Sequence, residues 1–585
     1  MRPDLLLIHT PAVYDFRRRA TLYGPISDVI PSTPVFEMYP LGFATLSRYL
    51  SRKGFNVRIL NLAMKMLLNR DFDPVSHMRR FRPRMFGLDL HWLPHAQGVM
   101  EVARILKELH PDTPIVVGGL SASYYHREIL EGYPQIDYVI RGDCAEEPLE
   151  ELLRVVRRGG DPSGVPNLSY RTPGGPAGGE ITHVPDTLDN YDFDYRHMVR
   201  RAFSTRDPFS YLPFRKWFFY PITAVLTCKG CMYNCITCGG SHFAYGRVAN
   251  RRRLALKDPE IVAREAASIS TMLRGPIFFT GDILQGGVEH FHRMMAALRP
   301  LRIPSEVMVE FFAPPPREIL EELTATFNRV NIEISPESQE EKVRAAFGRP
   351  FDNGSLERFI VDAGRTGIRR LDLFFMTGLP HQTSESVSGI VDYCRDLFQL
   401  TNGSMKLNPF IAPLAPFVDP GSMVFEDPER FGYHLRFRSL EEHRRAMMSE
   451  NWKEMLNYET RWMSRDALAH ATYEAGIGLT RLKERHGLIK RRVMERVVNQ
   501  ARAEMDLLDR PAGWTPDTTP VRRRSLARLL DPLHLGGGNS LCKKEELQMP
   551  VSPVRLHFGN LLRMLFLDRA PVKVKSPSEK DIPRR

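Results

Sequence analysis

The sequence predicts an α/β protein: a doubly wound parallel sheet, then an open (βα)6 arrangement, then a mostly helical carboxyl-terminal region. Two observations carry that prediction. Short apolar runs alternate with amphipathic segments over residues 1–160 and again from about 222, which is the rhythm of βαβ units. After about 425 the strand rhythm stops and helical periodicity continues alone. A third observation singles out one loop for chemistry: four of the chain's seven cysteines fall between 228 and 238.

In the first stretch the strand candidates are "LLLIH" (5–9), "NVRIL" (56–60), "FGLDL" (86–90), "PIVVGG" (114–119) and "DYVIRG" (137–142), with helical segments at 42–54, 96–110 and 146–158. Residues 1–160 therefore read as a Rossmann-like doubly wound domain, whose ligands sit at the carboxyl ends of the strands. Those ends carry Gly118, Gly119 and "RGD" (141–143). The two glycines suit either close approach of a cofactor to the backbone or a tight turn. Residues 161–215 form a bridge with linker-like "GGDPSGVP" and "TPGGPAGGE".

Residues 216–425 hold six strand candidates: "ITAVLT" (222–227), "IFFTGD" (277–282), "EVMVEFF" (306–312), "RVNIEIS" (329–335), "LDLFFMTG" (371–378) and "MKLNPF" (405–410). The cysteine loop, "TGD", "SPES" (335–338) and "GLPHQTSES" (378–386) all fall at strand ends, where barrel chemistry gathers. Residues 426–585 read as a helical domain, with helices expected over 439–462 and 487–508. The basic, apolar stretch 553–575 suits either a surface helix touching membrane or a helix closing the core.

Hydrophobic content of 43% with 26% charged residues excludes a disordered chain. No window approaches 18 uninterrupted apolar residues, so no spanning helix is expected, and the amino-terminal apolar run is too short for a signal sequence. Seven cysteines, odd in number and clustered, argue against a disulfide framework and for a reducing cytoplasm. The net charge of +12 favours an anionic partner: lipid headgroups, nucleic acid or an acidic metabolite. RNA competes for that charge, but no interleaved aromatic and basic platform for single-stranded bases stands out.

Cys231, Cys235 and Cys238 are spaced C-x3-C-x2-C, with Cys228 three positions before them. Soft thiolates in one loop select zinc or an iron–sulfur cluster. Structural zinc usually takes two ligand pairs across a long spacer, and no second pair follows. Three thiolates on a cubane leave one iron open, a reactive arrangement. Iron–sulfur accounts for the spacing better than zinc or incidental cysteines.

The spacing, the strand before it and the strands after it resemble the radical S-adenosylmethionine superfamily, with residues 216–425 as its partial barrel. The amino-terminal sheet resembles the cobalamin (B12)-binding domain of one branch of those enzymes. The resemblance implies a [4Fe–4S] cluster on Cys231, Cys235 and Cys238, and S-adenosylmethionine chelated at the open iron and cleaved to a 5′-deoxyadenosyl radical. It also implies cobalamin, although some members keep the sheet and bind none. Cys228 falls outside the triplet and reads as packing or as support for the cluster cysteines. Thr237 stands where an aromatic residue is usual, and Tyr233 is its candidate substitute.

By the same resemblance, Gly281 and Asp282 match the motif that receives the methionine ammonium, while a helix cap is the plain alternative for Asp282. Glu310 on the third strand is a candidate polar contact. Ser335 and Glu337, with Glu333, are candidates for ribose or carboxylate contacts, sharing one strand face by alternation. "GLPHQTSES" matches a loop that is chiefly structural. The implied activity is methylation, carbon–carbon bond formation or cyclisation at an unactivated carbon, on a small molecule or lipid. A flavodoxin or ferredoxin would supply electrons, and the enzyme would be cytoplasmic with peripheral contact at the inner membrane face. The alternative is a zinc- or iron–sulfur-stabilised RNA-binding or RNA-modifying protein, which does not account for two consecutive α/β units.

Overall fold

A computed structural model describes residues 2–25, 33–414, 417–510, 541, 546 and 548–551. The stretch 553–575 lies outside the described residues. Five parallel strands open the chain: β1 (Leu5–His9), β2 (Val57–Asn61), β3 (Met85–Asp89), β4 (Ile115–Gly118) and β5 (Tyr138–Ile140). Their order, β2-β1-β3-β4-β5, places the topological switch between β1 and β3. β1 and β3 are buried along their whole length, because helices cover both faces of a parallel sheet and no alternation with polar residues is needed. The helix Glu146–Arg158 carries Glu146 and Glu147 in its first turn and Arg157 and Arg158 in its last. It ends at Gly159 in the left-handed region, so both its dipole ends are matched.

The bridge contributes to the fold. Its "TPGGPAGGE" forms the turn and second strand of a hairpin, β6 (Leu168–Thr172) and β7 (Gly175–Gly178), which extends the first sheet antiparallel to β5. Glycines that read as a linker here serve a tight turn. A helix, Tyr195–Thr205, follows, with Asp194 capping it.

The second sheet has six parallel strands in the order β15-β14-β13-β12-β11-β8: β8 (Thr223–Leu226), β11 (Ile277–Asp282), β12 (Val307–Phe311), β13 (Val330–Glu337), β14 (Arg370–Thr377) and β15 (Lys406–Pro413). A two-stranded ribbon, β9 (Cys228–Lys229) with β10 (Ala255–Leu256), sits at the cysteine loop. Strand and helix alternate along the chain, so this is the open (βα)6 unit the pattern predicts.

The carboxyl-terminal region departs from expectation. The 439–462 stretch, expected to be one helix, holds a helix Leu440–Ala446, a short turn, and Tyr458–Thr460, which pairs with Tyr433–Leu435 in a small hairpin. A helix at Arg465–Arg485, unmarked by a clean apolar stripe, packs on β14 and β15. Its Gly476 and Gly478 are tight against Leu541 and Val391: an added β-carbon would lie 2.7 and 2.8 Å from them. Helix propensity is sacrificed there for close packing. The 487–508 helix is present as Arg491–Leu508.

Candidate functional site

The ends of both sheets face one cavity of about 930 Å³, near the top of the range for small-molecule sites. Its wall includes Gly118, Gly119, His91 and Trp92 from the first sheet's carboxyl ends. From the second unit come Cys231, Tyr233, Cys235, Cys238, Gly281 and Arg349. The wall is completed by apolar residues of the bridge and the segment just after it, including Phe203, Leu212, Phe214, Trp217 and Phe218.

At the first sheet, Gly119 holds φ at +117°, and an added β-carbon would sit 2.6 Å from the His91 backbone. Gly118 meets only the Ile140 carbonyl at 3.7 Å. Only the second glycine is forced by the turn, and both leave bare backbone in the wall. Beneath, His9 at the end of β1 places Nδ1 3.1 Å from both Asp89 oxygens and Nε2 2.8 Å from the Phe36 carbonyl. Both neighbours are oxygens, which only the doubly protonated ring could satisfy with a donor on each nitrogen, so the geometry favours the charged form. Burial alone would push His9 down, yet Asp89 holds it above its ordinary value. His95, which shares the Phe36 carbonyl at 3.2 Å, is pushed down to about 4 by burial and by the His9 charge.

The cysteine loop is organised by its own backbone. The Tyr233 N–H points at Cys231 Sγ (3.4 Å) and the Gly240 N–H at Cys238 Sγ (3.3 Å). Asp419, from the segment that covers the loop, accepts the Gly239 N–H at 2.8 Å, and burial pushes its carboxyl up to about 6. Burial raises all three thiols, Cys235 to about 11. Against that stands Arg349, whose charge lowers Cys231 and Cys235. Arg349 is delivered by Gly348, where φ is +108° and a β-carbon would lie 2.6 Å from the Asn234 carbonyl oxygen. Its guanidinium lies 4.6 Å from the Phe312 ring centroid and 5.4 Å from that of Tyr233, and donates to the Phe312 carbonyl at 2.6 Å. A buried cation beside Cys231 and Cys235 favours their thiolate form. Neither Arg349 nor Asp419 stood out in the sequence, since each lies far from the cysteines along the chain. The glycine before Arg349 is the one local signal.

The other predicted residues divide. Gly281, at φ +84°, packs against Cys228, whose sulfur an added β-carbon would approach to 3.3 Å. Cys228 is a buried thiol pushed up to about 12. Asp282 is buried, with Oδ1 accepting the Leu284 N–H (2.8 Å) and Oδ2 the Phe312 N–H (2.9 Å). Its carboxylate thus secures the bulged end of β11 and is not a helix cap, since the next helix, Val288–Leu298, starts from Gly287 with no side-chain cap. On β13 the register shifts between Ile334 and Glu337, so simple alternation does not carry from Glu333 to Glu337. Ser335 is half-buried. Glu337 is fully buried at φ +67°. Its Oε1 lies 3.7 Å from Arg349 Nε, Oε2 has no hydrogen-bond partner, and burial pushes the carboxyl up to about 7. Glu310 lies within electrostatic reach of Cys231, Arg349 and Glu337. Among the described residues, Asp282, Glu310, Ser335 and Glu337 stay out of the cavity wall itself. "GLPHQTSES" is structural: Gln382 accepts the Gly378 and Leu379 N–H groups and donates to the Met376 carbonyl.

The donor set fits the groups the sequence implies: three thiols on one loop with a buried cation beside two of them, and a large apolar cavity with glycine backbone at the first sheet's carboxyl ends. Comparison with known proteins agrees. The B12-binding domain family matches residues 28–153. The chain is 28% identical over 217 residues to the hopanoid C-3 methylase of Methylococcus capsulatus, covering 37% of this chain and 38% of that protein. It spans about two fifths of the length of the curated relatives it matches. Among solved structures, the radical S-adenosylmethionine methyltransferase TsrM from Kitasatospora setae, with cobalamin and [4Fe–4S] cluster bound, aligns at TM-score 0.53 and 18% identity, over 74% of this chain and 77% of that one. The cobalamin-dependent S-adenosylmethionine radical enzyme OxsB, with aqua-cobalamin and S-adenosylmethionine bound, aligns at TM-score 0.55 and 12% identity, over 93% and 78%. The order of domains, a B12-binding sheet and then an open barrel, is the fold of those enzymes.

Proposed function

We propose that this chain is a cobalamin-dependent radical S-adenosylmethionine enzyme that transfers a methyl group to an unactivated carbon of an apolar substrate. The observation that carries the reading is the single cavity lined both by the first sheet's glycine-bearing ends and by Cys231, Cys235 and Cys238. Those three thiolates would hold the [4Fe–4S] cluster, Tyr233 and Gly281 would flank the S-adenosylmethionine, and Gly118 and Gly119 would meet the cobalamin. With these groups bound, the cluster supplies an electron that cleaves S-adenosylmethionine and the cobalamin supplies a methyl carrier. The chain's own residues do the rest. Arg349 offsets the thiolate charge, Glu337 and Glu310 balance Arg349, and the phenylalanines of the bridge exclude water from the space between the two domains. The apolar wall and the likeness to a hopanoid methylase support a lipid or isoprenoid substrate.

The test is the metal and cobalamin content of anaerobically purified protein. Wild type should carry about four irons per chain and one cobalamin, and reduction should release 5′-deoxyadenosine. Cys231→Ala, Cys235→Ala and Cys238→Ala should each lose the iron and keep the cobalamin. Cys228→Ala should keep both. A protein without iron, or a Cys235→Ala variant that still cleaves S-adenosylmethionine, sinks the assignment.

A further inference from the structure

The bridge between the two domains carries an outward face in addition to the residues that wall the cavity. Within "FSTRDPFSYLPFRKWFF" (203–219), Phe203 is 62% exposed, Phe209 47%, Phe218 46% and Phe219 70%. Arg206 and Lys216 are exposed among them. The segment is firmly anchored from within. Tyr211, Phe214, Trp217 and Tyr220 point into the core, Trp217 Nε1 donates to the Ile222 carbonyl at 2.8 Å, and Asp207 pairs with Lys65 at 2.6 Å. Four exposed phenylalanines within one short segment anchored from beneath are the kind of apolar exposure that marks an interaction surface.

Two of the four decide what it meets. Phe203 and Phe218 are exposed and also line the cavity, as does Pro208 between them. The patch therefore rims the cavity, and whatever it rests on has a direct apolar route inward. We propose that this face docks on an anionic bilayer, with the phenylalanines entering the acyl boundary and Arg206 and Lys216 meeting lipid phosphates. Phenylalanine suits that role because it has no polar tip to satisfy. RNA would also use aromatic and basic residues, but it gains nothing from continuity with an apolar cavity. The docking face goes beyond the proposed chemistry and rests on it only for what passes inward.

The full-length protein should cosediment with phosphatidylglycerol–phosphatidylcholine vesicles, with neither S-adenosylmethionine nor reductant added, so failure here leaves the radical chemistry standing. Phe209→Ser with Phe219→Ser, two positions outside the cavity wall, should weaken binding roughly tenfold or more while thermal stability and cobalamin content hold. Arg206→Gln with Lys216→Gln, which removes no aromatic group, should abolish the dependence on phosphatidylglycerol and salt even if the serine pair does not fold. Four outcomes overturn the proposal. They are wild type that binds no vesicles, a folded serine pair that binds like wild type, an oligouridine that binds wild type and loses affinity in the serine pair, and a lipid-free wild-type dimer that the serine pair dissociates.

Discussion

Gly119 and Gly118 are neighbours in sequence with opposite requirements. Gly119 sits at φ +117° against the His91 backbone, whereas Gly118 has an ordinary contact at 3.7 Å. Gly119→Ala adds backbone strain and a steric overlap at once, which should cost about 1–3 kcal/mol and displace the turn that borders the cavity. Gly118→Ala should cost well under that. Chemical denaturation and cobalamin retention measure both. Equal effects from the two alanines would mean that the turn is not what glycine serves here. A sequence reader sees "GG" and cannot assign the roles, because the distinction depends on a strand thirty residues upstream. The same limit hides Arg349 and Asp419. The cysteine triplet is legible since its members are local in the chain, while the charges beside it arrive from loops far along the sequence.

At the scale of elements, the loop after β5 is tied to the cysteine loop's ribbon. Arg251, beyond the cysteines, pairs with Asp143 of the first domain, both nearly fully buried, and donates to the Pro185 carbonyl at 3.0 Å. Lys229 on β9 donates to the Asp143 carbonyl at 2.7 Å and lies 3.5 Å from Cys144 Sγ. This clamp fixes the ends of the two sheets across the shared cavity. Removing one partner strands the other charge, so Asp143→Ala should destabilise by about 3–5 kcal/mol and Arg251→Met similarly. The double variant Asp143→Leu/Arg251→Met should recover much of the loss. Denaturant titration of the four proteins decides it. Strictly additive losses would show that the pair is not coupled. "RGD" was visible in the sequence as a strand-end motif, but its partner was not, because ion pairing across domains leaves no periodic trace. Strands were legible to within three residues, since unbroken apolar runs are the direct imprint of a sheet buried on both faces. The hairpin β6–β7 was not, because its turn glycines read as a linker, and neither was the helix Arg465–Arg485, where Gly476 and Gly478 answer tertiary packing rather than local propensity.

Across the whole molecule, burial of neutral histidines sets a direction for acid sensitivity. His95, His126, His197 and His443 are each pushed down to about 4, with burial the first cause in every case. His443 is the clearest example. Its Nδ1 donates to the Ser439 carbonyl (2.7 Å) and its Nε2 accepts from Asn457 (3.0 Å). Phe417, Phe425, Phe437 and Tyr125 surround the ring, and Glu442 only partly offsets their effect. The sign follows from proton counting. Between about pH 6.5 and 4 the unfolded chain binds protons that these folded histidines refuse, so stability falls as pH falls through that window. His9 acts oppositely: its folded value is raised, so its contribution is present below about 6.5 and is lost as pH climbs past that raised value. His443 alone accounts for up to about 3 kcal/mol of the acid loss. His443→Gln should therefore be less stable than wild type at pH 8, where its hydrogen bonds and ring packing are missed. It should lose less on going to pH 4.5, so the two stability curves converge. Parallel curves would place the acid sensitivity in other groups.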